Sequence, residues 1–158
     1  MRIYTLSKKD TRAILNNIIR TWPIILNINK FTQVKTIEIN KHKNLFLFPK
    51  FYIIKLYDLF LPFLSNTEIL VRFPSIEVNL GAVPHICKGA DVMRPGIVKS
   101  ECFYEGDIVG IQENKYKKFI AVGKALVNES DMKKMNKGVI IKNYHYIGDK
   151  FWEAHKQV

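Results

Sequence analysis

The sequence predicts an α+β fold: a small N-terminal α/β unit, then a C-terminal pseudo-barrel of mixed strands with two short helices. Three observations carry this expectation. Apolar residues fall at helical spacing over 7–22, then switch to an alternating period from Val34. Beyond residue 74, short apolar runs recur at close spacing between turn residues, the pattern of a small barrel. Two stretches among them, 82–88 and 130–137, have helical rather than strand character. The expected boundary is Pro74, giving one domain over 1–74 and a second over 75–158.

Taken in chain order, Ser7 with Asp10 resembles a helix start, and Ile14, Leu15, Ile18, Ile19 and Trp22 then share a face until Pro23. Ile37 and Ile39 alternate with Glu38, and Leu45–Phe48 and Phe51–Ile54 read as more deeply buried strands. Leu56, Leu59, Phe60 and Phe63 return to helical spacing, limited by Pro62. Ser65 and Glu68 fit a capping box for a short helix that Pro74 stops. In the second unit, Ile76 and Val78 alternate, one or two helical turns follow to Gly89, and strands are expected at 92–99, 107–112 and 119–126. Glu113 to Lys118 is a polar, basic hairpin tip. Ser130 caps a short helix ending at Gly138, and 139–141 and 150–152 supply closing strands.

Composition narrows the function classes. The chain has 158 residues, is 47% hydrophobic and carries a formal net charge of +11, concentrated in the first half. Such an excess attracts polyanions and favours a nucleic-acid partner. No stretch reaches the ~18 to 20 uncharged apolar residues of a membrane helix, and MRIYTLSKKD lacks the apolar block of a signal peptide. The expectation is therefore a soluble, cytoplasmic protein with no membrane partner. Cys87 and Cys102 have no metal or redox spacing and read as buried free thiols. His42, His85, His145 and His155 show no metal-ligand spacing, and there is no P-loop, nucleotide fingerprint or nucleophile elbow. No enzyme, cofactor, metal site or catalytic residue is expected.

The most informative stretch is GADVMRPGIV, Gly89 to Val98. Its glycines mark places where a β-carbon is unwelcome, and Pro95-Gly96 adds a turn before Ile97-Val98. A short helix, a glycine loop, an extended segment, a tight turn and a strand follow from this order. That leaves the backbone at Gly89 and Ala90 open to a phosphate or an unstacked nucleotide.

With Gly81-Ala82 before it and Asn136-Lys137-Gly138 after it, this frame resembles a PUA domain, the pseudo-barrel RNA-binding module of some pseudouridine synthases and archaeosine transglycosylases. Together with the tail NKGVIIKNYHYIGDKFWE, it is similar to the malignant T-cell-amplified sequence family and its archaeal relatives, in which a pre-PUA domain precedes the PUA domain. The resemblance is specific over 75–154 and loose over 1–74, where only the order of elements matches. It implies RNA binding and, from eukaryotic members, work on the small ribosomal subunit with tRNA nearby and a companion protein.

By that match Lys88, Gly89, Ala90, Asp91, Val92, Met93 and Arg94 line the RNA groove together with Lys137, and Lys88 and Arg94 make the phosphate or base contacts. Asn79 departs from the Asp that many relatives carry, which removes a charge but leaves the fold intact. Lys8, Lys9, Arg12, Arg20, Lys41 and Lys43 would add sequence-independent attraction. The partner expected is structured RNA, either small-subunit rRNA or tRNA. An adaptor for a translation-factor partner, or an accessory chain of an RNA-modifying enzyme, is the alternative.

Overall fold

The structure is a computed structural model and describes residues 1–24, 26, 28 and 32–158. Strand β1 (Arg2–Thr5) opens the chain and helix α1 (Lys8–Thr21) follows. The Ser7 hydroxyl accepts from the Asp10 amide at 3.0 Å, which satisfies one of the donors a helix start leaves unpaired. Ile14, Ile18 and Trp22 are buried, as their spacing requires, whereas Ile19 is 67% exposed. Strands β2 (Lys35–Asn40), β3 (Lys43–Leu47), β4 (Tyr52–Leu56) and β5 (Leu59–Pro62) then form an antiparallel meander, with β1 on the outer edge of β2. Nothing in the sequence marked β1, because Ile3 faces out and the strand has no apolar alternation.

The helix expected over Leu56 to Phe63 is not formed. Leu56 pairs with Leu59 across a two-residue turn in which Tyr57 takes a left-handed φ of 54°. Its amide donates to His42 O at 2.8 Å and its ring stacks on His42 at 4.3 Å. Strand β5 is apolar on both faces, so its pattern mimicked helical spacing, and the turn lacks the Asn-Gly or Asp-Gly signal that identifies tight hairpins. Helix α2 (Thr67–Leu70) does follow, with Asn66 rather than Ser65 as its N-cap residue. The Asn66 carboxamide is used elsewhere, accepting from the Tyr52 amide at 2.8 Å.

The second sheet has the order β7-β11-β10-β9-β6-β8. Its strands are β6 (Ser75–Val78), β7 (Val92–Met93), β8 (Ile97–Ser100), β9 (Ile108–Glu113), β10 (Phe119–Ala125) and β11 (Val139–Tyr146). β6 runs parallel to β9 and the other pairs are antiparallel, giving the mixed, nearly closed pseudo-barrel that the short strands predicted. A 3₁₀ turn at Arg94–Gly96 splits the expected 92–99 strand into β7 and β8. Helix α3 (Val83–Ile86) precedes Gly89, and helix α4 (Glu129–Met132) starts after Asn128 rather than Ser130.

The strand expected at 150–152 is instead the first turn of helix α5 (Lys150–His155). Gly148, at φ +94°, turns the chain out of β11, and the Asp149 carboxylate accepts from the Trp152 amide at 2.8 Å. This cap decides the outcome over the β-preference of Phe151 and Trp152.

Two apolar cores form, and the first is shared by both halves of the chain. It joins Ile18, Trp22, Leu45, Ile54 and Phe63 to Ile108, Phe119, Val122, Phe151 and Ala154. At this seam His145 is fully buried. Its Nε2 accepts from the Leu64 amide at 3.2 Å, so the ring proton is on Nδ1, directed at Asp149 Oδ2 at 2.8 Å. Against expectation the cysteines are not both buried: Cys87 is half-buried and Cys102 exposed.

Candidate nucleic-acid interface

The segment singled out by its glycines is held from beneath by β11. After α3, the Gly89 amide donates to Ile86 O and the Ala90 amide to His85 O, both at 3.0 Å. Gly89 adopts φ +100°, and a β-carbon there would lie 3.2 Å from the Tyr146 hydroxyl oxygen. The Asn143 carboxamide donates to Ile86 O at 3.0 Å and Ala90 O at 2.9 Å, while its backbone amide donates to Asp91 Oδ1. The Asn143 Oδ1 atom is buried without a partner. The turn from Lys88 to Ala90 is therefore a built feature rather than a loose connection, and the Gly89 and Ala90 amides expected to face a phosphate are instead spent on Ile86 O and His85 O. Asn143 escaped the sequence reading, although a lone amide on the inward side of the apolar strand VIIKNYHY was the available signal.

The proposed groove residues separate into distinct environments. Lys88, Ala90 and Lys137 are exposed, Met93 is 47% exposed, and Gly89 is half-buried. Val92 belongs to the barrel core. Asp91 is half-buried and lies 3.6 Å from the Lys142 ammonium, not paired with Arg94. Arg94 is half-buried, and its Nε donates to Met132 O at 2.9 Å and Met135 O at 3.2 Å, closing the C-terminal end of α4. Its backbone amide donates to Gly138 O, and Met93 pairs with Val139, which brings Lys137 beside β7. The fold thus gathers Lys88 to Arg94 and Lys137 along one edge of the barrel, with Arg94 largely committed to structure. Asn79 keeps a hydrogen bond without the charge, its Oδ1 accepting from Ala82 N at 2.9 Å.

The first-half cations are more dispersed. Lys8, Lys9, Arg12, Arg20 and Lys41 are exposed. Lys43 is half-buried with its ammonium 5.8 Å from the centre of the Phe151 ring. Arg20 lines a cleft of about 670 Å³ between the two sheets, together with Trp22, Asp58, Phe60, Asp107 and Lys124. The aromatic residues Phe46, Phe48, Phe51 and Phe63 are in the core, so they offer no stacking surface. Burial pushes the Cys87 thiol up, and the nearby Lys118 ammonium opposes that shift. Among the described residues no group of His, Cys, Asp and Glu is arranged to hold a metal ion, and no helix is long and apolar enough to cross a membrane.

Residues 74–147 match the PUA domain family. An uncharacterized protein of Methanocaldococcus jannaschii is 47% identical over 78 residues, 49% of this chain and 48% of that protein. Translation machinery-associated protein 20 of Eremothecium gossypii is 30% identical over 87 residues, covering 51% of this chain and 48% of that protein. Malignant T-cell-amplified sequence 1 of Rattus norvegicus is 30% identical over 99 residues, 58% of this chain and 54% of that protein. The chain thus spans about half the length of the curated relatives it matches. Among solved structures, a hypothetical protein of Pyrococcus horikoshii aligns with a TM-score of 0.77 and 33% identity over 97% of this chain and 99% of that one. An H/ACA ribonucleoprotein bound to a substrate RNA aligns with a TM-score of 0.50 and 25% identity, over 61% of this chain and 29% of that one.

Proposed function

We propose that this chain, whose residues 74–147 match the PUA domain family and which is 30% identical over 99 residues to malignant T-cell-amplified sequence 1, is a non-enzymatic RNA-binding factor of translation. Its partner in this reading is structured RNA, small-subunit rRNA or tRNA, met in the cytoplasm. The observation that carries the reading is the Lys88–Ala90 turn, fixed by Asn143, open on its outer side and continuous with β7 and Lys137. Backbone fixed in advance loses little freedom when a phosphate arrives, and the two exposed lysines supply the charge. The RNA-bound state of the H/ACA neighbour and the name of translation machinery-associated protein 20 support the same direction. The exposed cations of the first half add long-range attraction of low selectivity. The two sheets are read as two domains, 1–74 and 75–158, joined by the shared core.

The test is a salt titration of binding to small ribosomal subunits, to tRNA with and without its 3′ end, and to an unstructured RNA. The expected result is tight binding to one structured RNA that survives physiological salt. Reversing Lys88 and Lys137 to Glu should then weaken that complex and flatten the log–log salt dependence by about 2, since each phosphate contact contributes roughly 0.9. Equal, salt-collapsing binding to all three RNAs would overturn the reading. A protein-adaptor role draws on the exposed Ile19 and Val71 of the first half, and in that case the chain copurifies with a stoichiometric protein partner after nuclease treatment.

A further inference from the structure

The β9–β10 hairpin tip is exposed from Lys115 to Lys118, as its lysines suggest, but its backbone is held in place by neighbouring side chains. Glu113, 8% exposed, turns its carboxylate into the tip, where Oε1 accepts from the Tyr116 amide at 2.6 Å and the Lys117 amide at 3.1 Å. Lys117 takes a left-handed φ of 60°, its carbonyl accepts from the Gln112 side chain at 2.8 Å, and its ammonium reaches Glu77 at 2.5 Å. The bonds from Glu113 and Gln112 fix backbone that a free tip would leave mobile. What the tip presents is the Tyr116 ring, 75% exposed, with the Lys115 ammonium 5.0 Å from its centroid. Among the described residues Lys115 and Lys118 have no carboxylate partner within salt-bridge distance, whereas Glu113 and the neighbouring Glu77 of β6 are already engaged. Lys118 also acts on Cys87, at the end of the helix that leads to Lys88 and Gly89.

We propose that Tyr116 is a stacking platform for an unpaired base of the bound RNA, with Lys115 and Lys118 receiving the flanking phosphates. Every base offers a π-face, so an exposed ring ringed by cations takes single-stranded nucleotides with little sequence preference. A rigid tip does this without ordering a loop on binding. Charge complementarity selects this occupant over an apolar protein surface, because the patch is one aromatic ring with Lys115 against it and Lys118 two residues on, neither with a carboxylate partner among the described residues. The proposal rests on the RNA reading above but uses a different surface from the Gly89 turn.

The experiment measures binding of the full chain to a tRNA transcript, whose loops and 3′ end are unpaired, and to a fully paired RNA duplex. Tyr116→Ala should weaken the tRNA complex about tenfold, leave the duplex unaffected and leave the salt slope unchanged, because it removes stacking and no charge. Tyr116→Phe and Tyr116→Trp should restore tRNA affinity. The ring is mostly exposed, so thermal unfolding of all three variants should follow the parent. Parent-like tRNA binding by Tyr116→Ala, or an equal loss on the duplex, overturns this site and leaves the RNA reading standing. A parent chain that binds neither of these RNAs nor small ribosomal subunits overturns both.

Discussion

Asn143 and His145 lie two residues apart on β11, and each organises a different part of the molecule. Replacing Asn143 by Ala removes the donors that hold Ile86 O and Ala90 O, which should destabilise the fold by about 1–3 kcal/mol and loosen the Gly89 turn. The expected readouts are a lower thermal midpoint and weaker RNA binding together, whereas Lys88→Glu should change only binding. A parent-like midpoint would show that the turn stands without its carboxamide. The two thiols offer a second check at this scale. Burial raises the Cys87 thiol, so at mildly alkaline pH it holds less thiolate than an ordinary cysteine and should alkylate more slowly than exposed Cys102. Peptide mass spectrometry after timed iodoacetamide treatment reads the order directly. Gly89 was legible in the sequence because a positive φ selects for glycine, whereas Gly96 has no left-handed φ and a β-carbon there would meet only Ala82 at 3.4 Å; Arg94 was legible as a cation but not as the tie it makes to Met132 and Met135, which depends on a helix far along the chain.

Among the elements, those with both a period and a cap were readable in advance, as α1 shows with Ser7, Ile14 and Ile18. Those decided by a single turn were not. The β4–β5 hairpin turns on Tyr57, a residue that rarely adopts its left-handed conformation and is retained here by His42. Helix α5 turns on Asp149, whose carboxylate accepts from the Trp152 amide, the Tyr146 amide and the His145 ring. Asp149→Ala should therefore cost more than an ordinary cap, upward of about 2 kcal/mol, because it also strips a partner from a fully buried imidazole. Asp149→Asn keeps an oxygen for the cap and should fall between the parent and Asp149→Ala. Urea denaturation curves of the three proteins test the ranking, and equal midpoints would reduce Asp149 to a surface residue.

For the whole molecule, charge was legible from composition, but the joining of the halves was not, because it depends on residues more than eighty positions apart. Leu64 donates to His145, and Phe63 stacks on that ring at 5.0 Å. Phe151 and Ala154 pack in the same core as Ile18 and Leu45. Removing residues 1–74 would uncover Ile108, Phe119, Val122 and Phe151, each largely or wholly buried in the full chain. Apolar area shared in this way makes the unfolding of either half expose surface of the other, and that coupling is what produces a single cooperative transition. Urea unfolding followed by tryptophan fluorescence in a Trp152→Phe background, which leaves Trp22 in the first half as the reporter, should then coincide with unfolding followed by far-ultraviolet circular dichroism. His145→Ala should shift both curves together, by about 2–4 kcal/mol, since it leaves a cavity and an unpaired Leu64 amide at the seam. If the two probes instead separated in that background, the halves would be independent folding units, and the seam would be a contact between domains rather than a common core.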